Sequence, residues 1–334
     1  MQRNSRILGV GHHVPERVVT NDDLSRCMDT SDEWIFQRTG IRERHFSEGW
    51  TGASDMGAIA ARQALERAGK APADIDCIVF ATLSPDVDMP ASACLLQEHL
   101  NLSGIPAFDI KNQCSGFLYG LAVADKFVKS GTFDHVLLVG AEVHSTGLDL
   151  STRGREVAVI FGDGAGAVVV GPEADTDQGI LTTHLHADGK YAEKLWLESA
   201  ASRDRPRLSE EIVAGEDART FPKMEGRYVF KHAVTRLPEV IQEALVARGY
   251  TTEDISLFIP HQANIRINQA AAMSLGLPEE KVFHNIDRYG NTTGGSIPLA
   301  LYEAIEAGRV HDRDLICLAA FGAGFTWASA LIRW

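Results

Sequence analysis

The chain has 334 residues with a formal net charge of −13 at neutral pH, and hydrophobic residues make up 45% of it. This length and apolar content allow a large buried core, arranged as two domains or two fused half-domains. The acidic balance argues against nucleic-acid binding, because a phosphate backbone needs a basic surface to bind it.

The N-terminal residues lead directly into a short apolar strand over 7–10. This start does not resemble a signal peptide, and no apolar run approaches the roughly 20 residues that a helix needs to span a bilayer. We therefore expect a cytoplasmic protein that does not bind a membrane. The five cysteines form no CxxC pair, so the sequence predicts neither a disulfide framework nor a metal site.

Apolar strands and amphipathic helices then alternate along the chain, which predicts an α/β protein with largely parallel sheets covered by helices on both faces. The predicted elements are, in order, a helix over 50–69, a strand over 75–82, a helix over 90–100, a strand over 105–111, a helix over 115–129, strands over 136–141, 164–171 and 179–186, a helix over 226–248, a strand over 257–259, a helix over 264–275, a glycine-rich turn over 290–296, a helix over 297–307, and strands over 314–320 and 326–332. The charged stretch over 189–223, which carries Arg203, Arg205 and Arg207, is predicted to be an insertion or a lid.

The chain also repeats itself at an offset of 180 residues, which predicts two similar halves over 1–173 and 174–334. A site between the halves would draw residues from both of them. The landmarks that recur are Ala64-Leu65 with Ala244-Leu245, Gly69 with Gly249, Asp74-Ile75 with Asp254-Ile255, and Asp134 with Asp314, and each half then has a glycine-rich segment, Phe161-Gly162-Asp163-Gly164 or Phe321-Gly322-Ala323-Gly324.

Cys114 is the candidate nucleophile, because it lies where a predicted strand gives way to a helix. Free backbone N–H groups and the positive end of the helix dipole favour a thiolate there. A free cysteine is more often a small buried hydrophobe, and that is the interpretation for the other four cysteines.

His261 and Asn291 stand at two further junctions between a predicted strand or turn and a helix. Taken singly, the histidine fits a structural group, and the asparagine fits a turn residue with unusual backbone angles. Together with Cys114 they form a nucleophile with two neutral hydrogen-bonding groups, which suits an anion that develops on a thioester oxygen. No acidic residue takes the asparagine's place to orient the histidine as a hydrolase base.

Several segments resemble the β-ketoacyl-[acyl-carrier-protein] synthase III family of bacterial fatty-acid synthesis, in the family's order and over nearly the whole chain. The resemblance implies a thiolase fold, with two βαβαβ-type halves stacked as a five-layer αβαβα sandwich, and a homodimer. The segments are Ser31-Asp32-Glu33-Trp34-Ile35, Arg38-Thr39-Gly40-Ile41, Asn112-Gln113-Cys114-Ser115-Gly116-Phe117, Pro260-His261-Gln262-Ala263-Asn264, Asp287-Arg288-Tyr289-Gly290-Asn291-Thr292 and Ala320-Phe321-Gly322-Ala323-Gly324-Phe325-Thr326-Trp327.

The resemblance also implies a reaction that needs no metal or organic cofactor. Cys114 would take an acyl group from acyl-coenzyme A (acyl-CoA), with the thioester oxygen held by the backbone N–H groups of Cys114 and Ala323. His261 and Asn291 would then hold the malonyl thioester oxygen while carbon dioxide leaves. The malonyl donor would be malonyl-acyl carrier protein, with malonyl-CoA as a possible substitute, and the product a β-ketoacyl thioester.

The family's coenzyme A tunnel and carrier-protein contacts map onto further residues of this chain. The resemblance implies that Trp34 and Arg153 stack on the adenine, that Arg38 lies near the phosphates, and that Arg266 meets the carrier protein, with Lys231 as a second candidate. The tunnel would also be lined by Gly154, Phe230 and Asn264.

Four features depart from the familiar members of the family. Gln113 and Ser115 replace alanines beside the nucleophile, and the stretch over 189–223 is longer. Met89 takes the position of the aromatic residue that often closes the acyl pocket across the dimer, and Met273-Ser274 replaces a lysine pair. Because methionine is flexible and fills irregular space, we expect a primer longer than acetyl.

Other functions remain open at this stage. The nearest are head-to-head condensation of two acyl chains, plant-type polyketide synthesis, and transfer of the Cys114 acyl group to an alcohol or amine. A coenzyme A or carrier-binding module without turnover is a different class, which the intact nucleophile disfavours. A papain-like hydrolase lacks support because its sequence signature around the cysteine is absent.

Overall fold

The computed structural model describes residues 3–175 and 177–334. Its strands are β1 (Asn4–His13), β2 (Val18–Thr20), β3 (Glu43–His45), β4 (Cys77–Ala81), β5 (Ala107–Ile110), β6 (Val136–Glu142), β7 (Gly164–Glu173), β8 (Gly179–Ala187), β9 (Leu195–Trp196), β10 (Lys223–Met224), β11 (Leu257–Pro260), β12 (Leu315–Gly322) and β13 (Thr326–Arg333). Its α-helices are α1 (Asn21–Ser25), α2 (Asp32–Thr39), α3 (Ala53–Ala68), α4 (Ser92–His99), α5 (Gly116–Ser130), α6 (Arg155–Ala158), α7 (Glu210–Val213), α8 (Gly226–Arg248), α9 (Ile265–Ser274), α10 (Ile286–Tyr289) and α11 (Ser296–Glu306).

Two mixed sheets form the framework, so the prediction of largely parallel sheets is wrong. In the first sheet, ordered β1-β7-β6-β4-β5, β4 is parallel to β5 and β6, whereas β7 is antiparallel to β6 and β1. In the second, ordered β11-β12-β13-β8, only β11 and β12 are parallel. A strand buried on both faces has the same continuous apolar pattern in either direction, so the sequence pattern did not reveal the reversals.

The two sheets share one arrangement of strands. β4, β6 and β7 of the first sheet correspond to β11, β12 and β13 of the second, and in each sheet two parallel strands are followed by an antiparallel one. The counterpart of β5 is reduced to a single parallel bridge between Phe258 and Val282. This likeness agrees with the sequence repeat, whereas the boundary at 173/174 stays a prediction.

Alternating side chains divide the core into separate layers. Val79 and Leu138 face α5 and α11, which lie between the two sheets, whereas Phe80 and Val139 face α3 and α4 on the outside of the first sheet. The outer face of the second sheet packs against α8 and α9 in the same way. The result is the predicted five-layer αβαβα sandwich, with α5 and α11 as its middle layer.

The stretch over 189–223, hereafter the insertion, is irregular as predicted. β9 and β10 pair at its two ends, and α7 is its only α-helix in the part of the chain that the structure describes. Arg219 pairs with Asp217 at 2.6 Å and Asp204 at 3.3 Å, and Arg207 pairs with Asp88 of the first half. Within the described residues, no helix is both long and apolar enough to cross a membrane.

Candidate active site

The three predicted catalytic side chains line one cavity. Cys114 lies in the turn Gln113–Ser115 between β5 and α5, His261 follows β11, and Asn291 lies between α10 and α11. All three contribute to a cavity of about 790 Å³ that runs between the two halves. Cys114 and His261 lie beyond the carboxyl ends of β5 and β11, where α/β sheets place ligand chemistry, and the segment between α10 and α11 brings Asn291 to them.

The turn that carries Cys114 is fixed to the second half of the chain. The Ser115 hydroxyl lies 2.6 Å from the Thr326 hydroxyl of β13 and accepts a hydrogen bond from the Asn112 amide at 3.0 Å. Gln113 has a φ of +44°, which lies in the left-handed region that residues other than glycine rarely adopt. Ser115, one of the departures from the family pattern, therefore holds the nucleophile's turn in place.

The Cys114 thiol is buried, with 7% of the residue exposed. Burial raises its pKa to about 12, and the negative charge of Glu142 acts in the same direction. The backbone N–H groups of Cys114 and Ala323 and the Asn291 side chain lower the pKa of the sulfur, which places these donors beside it. The expected preference for a thiolate is thus not met, because desolvation outweighs the nearby donors.

His261 presents an unpartnered imidazole to the cavity. Neither ring nitrogen has a hydrogen-bond partner among the residues that the structure describes, although the side chain is buried. Burial lowers its pKa to about 3, with the nearby His144 contributing, so the ring is neutral. Its backbone N–H donates to Ala319 at 2.8 Å, which extends the β12 pairing. A neutral ring in this state offers one N–H donor to a ligand.

The orientation of the Asn291 amide follows from its neighbour. The backbone N–H of Thr293 donates to Asn291 Oδ1 at 2.9 Å. The Nδ2 group is therefore the end that faces Cys114, in agreement with the effect of Asn291 on the cysteine's pKa. Main-chain hydrogen bonds with Ile160 at 2.9 Å and Gly162 at 3.1 Å fix the residue's position.

A buried polar network lies close to Asn291 and was not identified from the sequence. Glu142 accepts hydrogen bonds from the Ser84 hydroxyl at 2.6 Å and the Gly294 N–H at 3.4 Å, and burial raises its pKa to about 7. Asp163 accepts from the backbone N–H of His144 at 2.7 Å. Polar residues at or just beyond the carboxyl end of a buried strand indicated His261, and the same pattern at the end of β6 points to Glu142 and His144.

Five of the predicted coenzyme A and carrier-protein residues also line the cavity. They are Trp34, Arg38, Phe230, Asn264 and Arg266. The Arg38 guanidinium lies 4.3 Å from the centre of the Trp34 ring, and the Asn264 amide donates to the Arg38 carbonyl at 2.9 Å. Asn264 also caps α9 by accepting from the Arg266 N–H at 3.0 Å.

Arg153 and Gly154 line a smaller neighbouring cavity of about 280 Å³ instead. Arg153 pairs with Asp149 at 2.5 Å, and its guanidinium lies 5.3 Å from the centre of the Phe221 ring in the insertion. Besides Arg38, Arg155 also places its guanidinium over Trp34, 5.4 Å from the centre of the ring. The structure therefore does not bring Trp34 and Arg153 together as the two faces of one stacking site.

The remaining two candidates lie on the surface. Lys231 is exposed on α8, and Met89 is 85% exposed in the loop between β4 and α4. Neither belongs to the cavity lining in the described part of the chain. The role expected of Met89 requires a second subunit, so its position in one chain leaves that role a prediction.

Known proteins are similar to this chain over nearly its full length. The family model of 3-oxoacyl-[acyl-carrier-protein] synthase III matches residues 108–189, and the model of the family's C-terminal region matches residues 245–334. The β-ketoacyl-[acyl-carrier-protein] synthase III of Xanthomonas euvesicatoria is 48% identical over 330 residues, which cover 99% of this chain and 98% of that protein.

Two solved structures give the same result. The 3-oxoacyl-[acyl-carrier-protein] synthase III of Aquifex aeolicus VF5 superimposes with a TM-score of 0.90 at 43% identity, covering 99% of this chain and 100% of that one. The priming β-ketosynthase of the R1128 polyketide pathway superimposes with a TM-score of 0.89 at 35% identity, covering 99% of this chain and 96% of that one. The chain belongs to the 3-oxoacyl-[acyl-carrier-protein] synthase III family of thiolase-fold acyltransferases.

Proposed function

We propose that the protein condenses an acyl group carried on Cys114 with malonyl-acyl carrier protein, releasing carbon dioxide and a β-ketoacyl-acyl carrier protein. The observation that carries this proposal is the pairing of one buried thiol with neutral donors from His261 and Asn291 in a single cavity. Neutral donors suit a developing enolate, because they stabilise the negative charge without first forming an ion pair with the carboxylate. The product would start a fatty-acid chain.

In the first half-reaction, the sulfur of Cys114 attacks the thioester carbon of an acyl-CoA. The carbon–sulfur bond to coenzyme A breaks, and coenzyme A leaves as its thiol after taking up the proton that Cys114 gives up. The thioester oxygen would accept hydrogen bonds from the backbone N–H groups of Cys114 and Ala323, both of which already lie beside the sulfur.

In the second half-reaction, the malonyl thioester oxygen would accept from the His261 ring and the Asn291 Nδ2 group. The bond to the malonyl carboxylate breaks, carbon dioxide leaves, and the electron pair becomes an enolate. Its carbon attacks the acyl group on Cys114, and the cysteine sulfur departs and is reprotonated. The thioesters supply all the reactive groups, so we propose that no metal or organic cofactor takes part.

A basic rim would receive the phosphorylated substrates on this acidic protein. Arg38, Arg227 and Arg266 all line the cavity. The local field at a cleft can attract an anion even where the net charge is negative. Coenzyme A phosphates and an acidic carrier protein are the proposed partners of these cations, and malonyl-CoA is the alternative donor.

We further propose a cytoplasmic homodimer built of halves divided at 173/174, with Met89 reaching the partner's acyl pocket. A primer longer than acetyl is expected on that basis. The similarity to a priming β-ketosynthase of a polyketide pathway favours a second candidate, in which the same condensation starts a specialised chain. The two differ in the carrier protein that accepts the product.

The test is a product assay with purified protein, a series of acyl-CoAs and malonyl-acyl carrier protein. The proposal predicts carbon dioxide and β-ketoacyl product in equal amounts, both lost in Cys114→Ala. Acyl transfer to an alcohol or amine without carbon dioxide would contradict it. Repeating the assay with a fatty-acid and a polyketide carrier protein separates the two candidates by their relative kcat/KM.

A further inference from the structure

A threonine links His144 to the active site. Its Nε2 lies 2.7 Å from the hydroxyl oxygen of Thr293, although the two residues are 149 positions apart in the chain. Thr293 in turn makes two contacts to the Asn291 Oδ1, through its backbone N–H at 2.9 Å and through its hydroxyl at 3.4 Å. A chain of polar contacts therefore runs from His144 through Thr293 to Asn291.

The surroundings hold the His144 ring in one place. Its backbone N–H donates to Asp163 at 2.7 Å, and its ring packs at 4.6 Å against the ring of Phe161. Thr293 is only 1% exposed and adopts a φ of +47°, which a β-branched residue seldom does. A strained, buried residue of this kind persists where its neighbours fix it, and such residues cluster at active sites.

The donor and acceptor at each contact can be assigned. Asn291 Oδ1 can only accept, so the Thr293 hydroxyl donates to it and has its lone pairs left for His144. His144 then donates from Nε2, as a neutral ring protonated at that nitrogen. Burial lowers the His144 pKa to about 4, in spite of the nearby Asp163, so the neutral ring is its ordinary state.

We propose that His144 is a positioning residue for the condensation step: through the Thr293 hydroxyl, it fixes the Asn291 amide with its NH₂ group toward Cys114. This inference rests on the proposed function. His144 does not touch the thiol, and its loss leaves the backbone N–H groups of Cys114 and Ala323 beside the sulfur. Loss of His144 should therefore slow the malonyl half-reaction, which depends on the Asn291 amide, far more than the acylation of Cys114.

Two matched pairs of variants test the proposal. His144→Leu removes the donor, whereas His144→Gln keeps an N–H donor near the position of Nε2. Thr293→Val removes the hydroxyl and keeps the branched shape, whereas Thr293→Ser keeps the hydroxyl. For each variant, the rate of Cys114 acylation by acyl-CoA is followed by rapid quench and intact mass, and the rate of malonyl decarboxylation by carbon dioxide release.

The expected result is a split between the two half-reactions. His144→Leu and Thr293→Val should release carbon dioxide about tenfold more slowly, the loss of roughly one hydrogen bond, and acylate Cys114 within about twofold of wild type. The Gln and Ser variants should retain most of the rate. The double variant His144→Leu/Thr293→Val should be no slower than either single one, since both act through one contact.

Three outcomes would overturn the proposal: an equal fall in both half-reactions, full decarboxylation by His144→Leu, or a His144→Gln variant as slow as the Leu variant. The first would mean that the residue only supports the fold. Absence of carbon dioxide release in wild type would instead refute the proposed function, and it would be seen before any variant is compared.

Discussion

Gly322 lies directly against Cys114: a Cβ atom on the glycine would be 2.6 Å from the Cys114 Cβ and 3.1 Å from its Sγ. Non-bonded Cβ atoms essentially never approach to 2.6 Å, so one of the two backbones would have to move. Gly322 ends β12, and the Ala323 N–H beside the sulfur follows it at once. The glycine is therefore what lets the oxyanion donor approach the nucleophile.

Gly322→Ala should slow the acylation of Cys114 strongly, because the added methyl group would displace the sulfur or the Ala323 N–H. We expect a loss of about a hundredfold or more in the acylation rate, the size of effect that removal of one oxyanion donor produces. Intact-mass measurement of the acyl-enzyme checks it. Gly189→Ala is the control, because a Cβ atom added at this exposed glycine meets nothing within 4 Å. Near-normal acylation by Gly322→Ala would contradict the prediction.

Arg155 should contribute more to coenzyme A binding than Arg153. Both arginines are ion-paired, Arg155 with Asp29 and Arg153 with Asp149. They differ in the ring that each guanidinium covers, which is Trp34 for Arg155 and Phe221 of the insertion for Arg153. Arg155→Ala should raise KM for acyl-CoA about three- to tenfold, the loss of one stacked cation, with kcat little changed. The matched Arg153→Ala variant should change KM by less than about twofold, and the reverse ranking of the two variants would contradict the assignment.

The Cys114 thiol should react as a weak acid. Because its pKa is raised to about 12 by burial, the thiolate fraction increases about tenfold for each pH unit between pH 7 and pH 9. The rate of iodoacetamide labelling, measured on the Cys114 peptide by mass spectrometry, should rise by that factor without a plateau. The exposed Cys27 serves as an internal control in the same digest. A plateau in the Cys114 rate near neutral pH would show a resting thiolate.

The neutral His261 should make the fold sensitive to acid. Its pKa is lowered to about 3, whereas a histidine in the unfolded chain titrates near pH 6.5. Below about pH 6.5 the unfolded chain therefore binds a proton that the folded chain does not, and stability falls as the pH falls. From pH 7 to pH 5 this one group should remove about 2 kcal/mol from the free energy of unfolding.

Urea unfolding of wild type and His261→Asn at the two pH values checks this prediction. The Asn variant lacks the titrating ring, so its loss of stability between pH 7 and pH 5 should be smaller by about 2 kcal/mol. The comparison uses only the difference between the two pH values, so a change in the variant's overall stability does not affect it. Equal losses in the two proteins would show that His261 takes up a proton in the folded state.

Local patterns predicted most of the elements and the three central residues. The helix predicted over 226–248 is α8, with the same bounds, and Gly249 ends it in a left-handed conformation. Cys114, His261 and Asn291 could be identified because each lies at a junction with a helix. Their convergence needs a second observation, since Cys114 follows β5 of the first sheet, His261 follows β11 of the second, and Asn291 follows a helix. The sequence repeat supplies it, because it predicts a site between two halves.

The features that the sequence did not reveal depend on contacts between distant parts of the chain. The contact of His144 with Thr293 joins the two halves, and no local pattern links those residues. Arg155 lies over Trp34 while paired with Asp29, and Arg153 is engaged by Asp149 and by Phe221 of the insertion. The insertion has no regular pattern from which to infer its path. The pKa of Cys114 likewise depends on burial, which the neighbouring sequence does not determine.

Acylation of Cys114 and its reversal by the malonyl donor are tested by the mass of the intact protein after mixing with acyl-CoAs from acetyl to dodecanoyl, followed by a chase with malonyl-acyl carrier protein. We expect an acyl adduct on wild type but not on Cys114→Ala, and we expect the chase to clear it as a β-ketoacyl product. An adduct that survives the malonyl chase, or no adduct with any primer, would contradict this expectation.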